Sequence, residues 1–233
     1  MLEKVCMDMN SPDNYVETTK DSLSSTRQFI ESMRKEYRVA GIVAPCVTPR
    51  FAASCSKELM IGLAQLAKEF NAPIQTHISE NEGEISWVKD IFKVPEYVDV
   101  YEQAGLMTEK TILAHCVFSN DKELDVMKKY GAGIAHCPNS NTSLTSGQMN
   151  SRKVLSKGVK LGLGTDVSGG YSCSILNSLR EAIAVSRHVH FHNSLSDCID
   201  YKEAFYLATL GGAKVLHLDD KIVLDAAVIQ SNT

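Results

Sequence analysis

The sequence predicts an α/β fold in which short buried strands alternate with amphipathic helices. Short apolar runs are each followed by a helical pattern, which favours parallel strands joined by right-handed crossovers. Polar residues stand where several of these runs end, and no GxGxxG or P-loop motif follows any of them, which disfavours a nucleotide-binding sheet. Since such polar ends converge on one face of a closed sheet, the predicted fold is a partial (β/α)8, TIM-like barrel that holds its strands from about the third to the eighth.

Length and composition are those of an ordinary globular protein. The 233 residues are 44 % hydrophobic and 22 % charged, enough for one large domain. A net charge of -4 gives no electrostatic reason to expect a nucleic acid or an anionic membrane as partner. No apolar run approaches the ~20 residues of a membrane span, and the N-terminus has no signal-peptide pattern. Seven cysteines without paired spacing are typical of reduced thiols in a cytoplasmic protein.

The beginning of the chain predicts two strands, each followed by a helix. Residues 5–8 have the pattern of the end of a strand, and a helical stripe follows over 22–37. A second strand is predicted over 39–47. Ser54 or Ser56 is expected to cap the helix that comes next.

The strand–helix unit then repeats along the chain. Strands are predicted at 73–77, 111–115, 131–136 and 159–165, and helices at 84–92, 121–130, 152–157 and 174–188. Residues 137–141 are interpreted as a loop. One more helix is predicted at 201–216 and a short apolar strand at 226–229.

Four polar groups at strand ends are the candidates for chemistry. Two imidazoles, His77 and His115, and the carboxylate of Asp166 are the right set for zinc or iron(II) with one position left for water. Such a metal lowers the pKa of bound water toward ~7, and Glu80 is suited to move protons between that water and a leaving group. The forked donor array of Arg50 suits a carbonyl oxygen on a planar substrate. The alternative is that both histidines are merely buried and Asp166 caps a helix; their positions on different strands favour the metal site.

The other histidines and thiols are less informative. The segment HCPNSN, which begins at His136, either lines a pocket or forms a turn whose asparagines bond the backbone. The run HVHFH at 188–192 lies at a helix end, where histidines complement the helix terminus, so a metal role there is disfavoured. Trp87 is interpreted as a core or surface anchor of its helix. Cys116 and Cys137 have no neighbouring base pattern that marks a nucleophile.

Several motifs together resemble the amidohydrolase superfamily. They are THISEN at 76–81, ILAHC at 112–116, AHCPNSN at 135–141 and GLGTDVSGG at 162–170. Two more, VTPRF at 47–51 and ATLGGA at 208–213, resemble its guanine deaminase branch. The resemblance runs from Lys4 to about Leu218, with the motifs in family order.

This resemblance implies an enzyme of purine catabolism that deaminates guanine to xanthine and ammonia, with metal-activated water as the nucleophile. It implies zinc bound by His77, His115 and Asp166, with Glu80 and Asp166 as the catalytic residues. It also implies a cytoplasmic protein that is a homodimer in complete family members. The residues implied to contact the substrate are Arg50, Phe51, His77, Glu80, His115 and Asp166.

The sequence departs from the family near both ends. The first barrel strand of the family carries a His-x-His pair that supplies two further metal ligands, and no such pair precedes Lys4. Residues 1–218 would then form a barrel without its first strands, and 219–233 a remnant of an accessory β-sandwich that is mostly absent. We therefore expect a chain truncated at both termini that binds zinc weakly and does not measurably deaminate guanine by itself.

Two alternatives stay open. One is another barrel amidohydrolase that acts on adenine or a triazine-like ring. Arg50 argues against it, because a cation suits the oxo group of guanine and is poorly matched to an amino substituent. The other is a non-catalytic chain that binds a partner or regulates a complete subunit, favoured by the missing ligand pair and by exposed sheet edges.

Overall fold

The computed structural model describes residues 1–36, 43–192 and 197–220, and a single parallel sheet runs through them. Each strand pairs in parallel with the next one along the chain. This confirms the predicted α/β class and the partial barrel. Among the described residues no pairing joins the last strand to the first, so the sheet is open. The strands are β1 (Leu2–Cys6), β2 (Pro45–Pro49), β3 (Ile74–Ile78), β4 (Thr111–His115), β5 (Gly133–His136) and β6 (Lys160–Leu163).

Helices follow the strands and cover the sheet. They are α1 (Thr19–Glu36), α2 (Lys57–Glu69), α3 (Glu82–Phe92), α4 (Val98–Ala104), α5 (Asp121–Tyr130), α6 (Pro138–Ser143), α7 (Ser151–Lys157), α8 (Ile175–His192), α9 (Tyr201–Tyr206) and α10 (Gly212–Val215). A short 3-10 turn (Ala52–Ser54) follows β2, and a π-helical turn (Leu207–Gly211) lies between α9 and α10. None of the helices in the described ranges is long and apolar enough to span a bilayer.

The core lies between the sheet and these helices. Ile78 of β3 and Leu113 of β4 are fully buried, as are Leu59 and Leu63 of α2. Burying a side chain of this size stabilises the fold by roughly 1.5–3 kcal/mol. This packed layer holds the carboxyl ends of the strands at fixed positions, which is where the candidate site residues lie.

The first two strands differ from the predicted ones. The first strand is Leu2–Cys6 rather than 5–8, because Asp8 leaves the sheet: its carboxylate accepts hydrogen bonds from the backbone N–H and the hydroxyl of Ser56, each over 2.6 Å. Ser56 is also the cap of α2, since its Oγ accepts from the N–H of Leu59 at 3.0 Å. The second strand begins later than predicted, at Pro45, and residues 39–42 of the predicted strand lie outside the described residues.

The later strands and helices match their predictions within a few residues, with three corrections. The predicted loop at 137–141 is wrong, because Pro138 opens the short helix α6. Helix α4 was not predicted. The helix expected at 201–216 is continuous over 201–215 but is not uniformly α-helical, because the π-helical turn Leu207–Gly211 joins α9 to α10. It comes so close to β6 that a Cβ on Gly162 would lie 2.8 Å from the Gly212 Cα. The predicted strand at 226–229 and nearly all of the predicted 219–233 unit lie outside the described residues.

Candidate active site

A cavity of about 440 Å³ lies at the carboxyl ends of the strands. This volume is within the range of roughly 300–1,000 Å³ that small-molecule sites occupy. The cavity brings together every residue predicted for the site: Arg50, Phe51, His77, Glu80, His115 and Asp166. The other residues that line it are Asn81, Glu84, Trp87 and Leu144.

His77 lies one residue before the end of β3, and a hydrogen bond at Nδ1 fixes the orientation of its imidazole. Its Nδ1–H donates to the backbone carbonyl of Arg50 over 2.6 Å, so Nε2 carries the free lone pair. Burial, followed by the neighbouring His115, lowers the pKa of His77. The ring is therefore neutral near pH 7, which is the form that binds a metal.

His115, the last residue of β4, is held in the same way. Its side chain is 1 % exposed, and its Nδ1–H donates to Oδ1 of Asn141 over 2.9 Å. The ring stacks on His77 with centroids 5.2 Å apart. Two neighbouring imidazoles thus have Nδ1 anchored and Nε2 free, an arrangement that orients histidine ligands in metal sites.

Two carboxylates face the free nitrogen of His115. Glu80 Oε2 lies 3.8 Å and Asp166 Oδ2 4.0 Å from His115 Nε2. The hydroxyl of Ser146 donates to the other oxygen of Glu80 over 2.7 Å, which leaves Oε2 turned to the cavity. Lone pairs and negative charges that gather in this way repel each other unless a cation or a proton lies between them.

The opposite wall of the cavity is aromatic and cationic. The guanidinium carbon of Arg50 lies 5.5 Å from the centre of the Phe51 ring, and that ring lies 6.0 Å from Trp87. The Arg50 side chain is exposed, and no charged partner holds it among the contacts of the described residues. A fork of donors beside aromatic faces suits a flat heteroaromatic molecule with an acceptor oxygen.

The backbone around the site is strained. Ser79, His115 and Asp166 adopt left-handed conformations, with φ of 51°, 72° and 46°. Residues with a side chain adopt this conformation at a cost of roughly 1–2 kcal/mol each. Such strain persists where the surrounding structure imposes it, and it is concentrated at functional sites.

The HCPNSN segment contributes from behind the cavity. His136 is fully buried, does not line the cavity, and burial lowers its pKa to about 3. Asn139 bonds the backbone, accepting from the N–H of Tyr171 at 2.9 Å, as the turn interpretation expects. Asn141 instead orients His115. The segment thus supports the site residues without lining the cavity.

The donor set fits zinc in kind, since anchored neutral imidazoles and a carboxylate are its usual ligands. The fit in geometry is incomplete. Within residues 1–36, 43–192 and 197–220, no group of three His, Cys, Asp or Glu side chains is placed so that it could hold a metal ion. His77, His115 and Asp166 therefore face one cavity as donors, without forming a closed cage.

The contribution of α3 and of its N-cap to the cavity was not predicted from the sequence. Trp87, expected to be an anchor of its helix, lines the cavity with its side chain 41 % exposed. Asn81 and Glu84 also line the cavity. Their spacing of three residues places all three on one face of a helix, and this face follows directly after a strand that ends in the site. That spacing was the signal that could have found them.

The sequence is similar to guanine deaminases along most of its length. The profile of the Amidohydrolase family matches residues 1–222. The guanine deaminase of Dictyostelium discoideum is 46 % identical over 222 residues, which are 95 % of this chain and 49 % of that protein. The chain thus spans about half the length of the curated relatives it matches.

Solved structures show the same relation. The guanine deaminase of C. acetobutylicum with bound guanine matches with a TM-score of 0.87 and 38 % identity, over 92 % of this chain and 51 % of that one. A zinc-bound adenosine deaminase from Xanthomonas campestris matches with a TM-score of 0.83 over 94 % of this chain and 48 % of that one; its 19 % identity shows the fold alone. The parallel sheet, the donors at its carboxyl end and the profile match from residue 1 to residue 222 lead to one conclusion: this chain belongs to the amidohydrolase family.

Proposed function

We propose that the chain carries the substrate pocket and the main catalytic residues of a zinc-dependent guanine deaminase, which hydrolyses guanine to xanthine and ammonia. The observation that carries the proposal is the single cavity in which two free imidazole nitrogens, two carboxylates, a guanidinium group and an aromatic wall meet. The similarity to guanine deaminases supports the choice of substrate. The chain spans about half the length of those guanine deaminases, so we propose this activity from its own cavity residues as well as from the similarity.

The proposed zinc ligands are His77, His115 and Asp166. The hydrogen bonds from both Nδ1–H groups leave the two Nε2 atoms available. When bound, zinc acts as a Lewis acid that makes hydroxide available as a nucleophile near neutral pH. Because the donors do not form a closed cage, they must move together on binding, and we expect zinc to be held weakly.

Glu80 is the proposed proton carrier. Its Oε2 takes a proton from the attacking water and delivers it to the amino group that leaves C2 of the purine. A C–O bond forms, the C–N bond breaks and ammonia departs. The hydrogen bond from Ser146 to Oε1 keeps the carboxylate in place during the exchange, and Asp166 orients the water by accepting a hydrogen bond.

Arg50, Phe51 and Trp87 are the proposed substrate wall. The purine plane stacks against the aromatic rings, and the guanidinium group donates to its oxo oxygen. Adenine and triazine-like rings carry amino groups at the matching positions, so this donor has no acceptor there. The same cation therefore favours guanine over the alternative substrates of the fold.

The test measures ammonia release from guanine by the 233-residue chain with added zinc. Since no steady turnover by the chain alone is expected, the protein is used in excess over guanine, so that even a single slow turnover is detected. Glu80→Gln should slow release by about a hundredfold or more, because an amide cannot take up the proton. The zinc content should not change.

The matched control is Glu82→Gln, which removes an exposed carboxylate two residues further on. It should release ammonia at the unsubstituted rate. Full activity in the Glu80→Gln variant would refute the proton-carrier role, and loss of zinc from that variant would make Glu80 a ligand.

A second candidate function is binding of a purine without hydrolysis. The observation that favours it is the lack of a three-ligand group in the part of the chain that the structure describes. Calorimetric titration with guanine, with and without a chelator, separates the two functions. Binding that is indifferent to zinc, together with no ammonia release, would support the second.

The cellular setting is also a proposal. All seven cysteines are free, and five of them are buried, which agrees with a reducing compartment such as the cytoplasm. The homodimer implied by the family stays a prediction.

A further inference from the structure

Two tyrosines that the proposed reaction does not use lie behind the cavity. Tyr97 precedes α4 and Tyr101 lies within it, and both side chains are fully buried. Their hydroxyl oxygens are 3.4 Å apart, and neither residue lines the cavity. A buried hydroxyl needs hydrogen-bond partners, and here the partners all belong to segments that carry site residues.

The Tyr101 hydroxyl joins the segment after β2 to the end of β3. It donates to the backbone carbonyl of His77 over 2.6 Å. It accepts from the backbone N–H of Ala52 and from the Thr76 hydroxyl, both at 3.0 Å. One donor and two lone pairs are the full capacity of a hydroxyl, so every position on this oxygen is used. Ala52 directly follows Phe51, so the bond also fixes the aromatic wall.

The Tyr97 hydroxyl reaches the proton carrier through one carboxylate. It donates to Oε1 of Glu84 over 2.7 Å, and Oε2 of Glu84 accepts from the backbone N–H of Glu80 at 2.9 Å. Glu84 is only 9 % exposed, so the loss of either donor would leave part of a buried carboxylate unpaired. The position of Glu80 therefore depends on a tyrosine that is not itself in the cavity.

We propose that Tyr97, Tyr101 and Glu84 form a positioning network that fixes three segments relative to one another: the substrate wall, the metal donor His77 and the proton carrier Glu80. For its catalytic readout the inference rests on the function proposed above. The two tyrosines act mainly on different groups, although the Tyr97 hydroxyl also accepts a longer hydrogen bond, of 3.4 Å, from the backbone N–H of Ala52. Tyr101 holds the metal donor and the substrate wall, whereas Tyr97 holds the proton carrier.

The variants are Tyr97→Phe and Tyr101→Phe, which remove a hydroxyl and keep the ring. The matched control is Tyr130→Phe on α5, whose hydroxyl likewise donates to a carboxylate, that of Glu102, at 2.9 Å and away from the cavity. A merely structural role would lower stability and every function together. A positioning role predicts different losses in the two variants.

Amide hydrogen exchange tests the network without any reference to activity. The Ala52 amide should exchange at least about tenfold faster in Tyr101→Phe, because it loses the hydroxyl that accepts its shorter hydrogen bond. The Glu80 amide should do so in Tyr97→Phe, because its acceptor, the Glu84 carboxylate, is no longer held by the Tyr97 hydroxyl. Tyr130→Phe should change neither amide. Zinc affinity should fall about ten- to a hundredfold in Tyr101→Phe and stay near the unsubstituted value in Tyr97→Phe.

Single-turnover ammonia release supplies the second readout. Tyr97→Phe should lower the rate at saturating guanine by about tenfold or more, and Tyr101→Phe should chiefly raise the guanine concentration for half-maximal rate. Unchanged exchange at both amides, or equal losses in all three variants, would overturn the network. Failure of the proposed function looks different: the unsubstituted chain would release no ammonia while the exchange pattern persists.

Discussion

The two ends of the parallel sheet differ in backbone strain and in how many buried polar atoms have hydrogen-bond partners. At the amino end, the helices α4, α5 and α7 each finish in a glycine with left-handed backbone, Gly105, Gly131 and Gly158. A residue without Cβ adopts this conformation at no steric cost. The Thr111 hydroxyl at the start of β4 donates to the carbonyl of Leu106 over 2.6 Å. These three helix ends avoid strain, whereas Lys93 at the end of α3 has a left-handed backbone in spite of its side chain.

At the carboxyl end the left-handed positions are occupied by Ser79, His115 and Asp166, all of which have side chains. Buried polar atoms also lack hydrogen-bond partners among the described residues. Those near the cavity include Ser79 Oγ, both ring nitrogens of His136, Asn139 Nδ2, Ser140 Oγ and Asn141 Nδ2. Most helix ends at the amino end of the sheet thus avoid strain by ending in glycine. At the carboxyl end, strained backbone and buried polar atoms without partners lie together around the cavity.

The largest expected effect comes from removing a donor at the carboxyl end. His115→Ala takes away one of three proposed ligands, so zinc affinity should fall by more than about a hundredfold. Competition with a chromophoric chelator measures the affinity. His188→Ala, at the exposed end of α8, is the matched control and should bind zinc like the unsubstituted chain. Equal affinities in the two variants would remove His115 from the metal site.

The next effect is on stability and depends on pH. Burial lowers the pKa of His136 from 6.5 to about 3, so the unfolded chain takes up this proton first as pH falls. The contribution of the neutral His136 ring to the free energy of unfolding is therefore fully present above pH 6.5 and is lost progressively as the pH falls to about 3. From pH 6.5 to 5 this amounts to about 2 kcal/mol.

His136→Gln removes this titration and keeps a polar side chain. Urea unfolding of both proteins at the two pH values should show that the loss between pH 6.5 and 5 is smaller in the variant. Because His77 and the carboxylates titrate in both proteins, their contributions cancel in the comparison. An equal loss in the two proteins would show that His136 is not buried as a neutral ring.

The smallest effect belongs to the amino end. Gly131 has φ of 68°, and a Cβ there meets only ordinary contacts, the nearest at 3.6 Å. Gly131→Ala should therefore cost about 1–2 kcal/mol from backbone strain alone, without changing zinc affinity. The reverse change is Lys93→Gly at the end of α3, where φ is 54°, and it should stabilise slightly. If either glycine variant changed zinc affinity as much as His115→Ala, the proposed distinction between the two ends of the sheet would be wrong.

The strands were largely predictable because each is an apolar run that stops at a polar residue. The prediction of 111–115 matches β4, and those near His77 and His136 are within two residues at their ends. The six predicted cavity residues were predictable for the same reason, since the carboxyl ends of parallel strands meet at one edge of the sheet.

The missed elements are short and depend on tertiary contacts. Helix α4 is seven residues long, too short for a periodic pattern, and forms because Tyr97 and Tyr101 find partners across the fold. Helix α6 has the sequence PNSNTS, whose residues favour turns, and its asparagines are buried against the site. The roles of Asn141 and Ser146 likewise follow from contacts between distant parts of the chain.

The close contact between β6 and α10 affects the position of a site residue although neither glycine of the contact lines the cavity. Gly162 faces Gly212 with no side chain between them, and a methyl group on Gly162 would lie 2.8 Å from the Gly212 Cα and 3.1 Å from its nitrogen. A side chain on Gly162 would therefore push β6 and α10 apart, and a shift of β6 would move Asp166, which follows four residues later. A misplacement of about 1 Å in a reacting group can cost on the order of a hundredfold in rate. Gly162, on the side of the sheet that packs against α10, thus helps to set the position of the proposed catalytic carboxylate of Asp166. A larger residue at this position is expected to act like a change in the proposed site itself, although position 162 does not line the cavity.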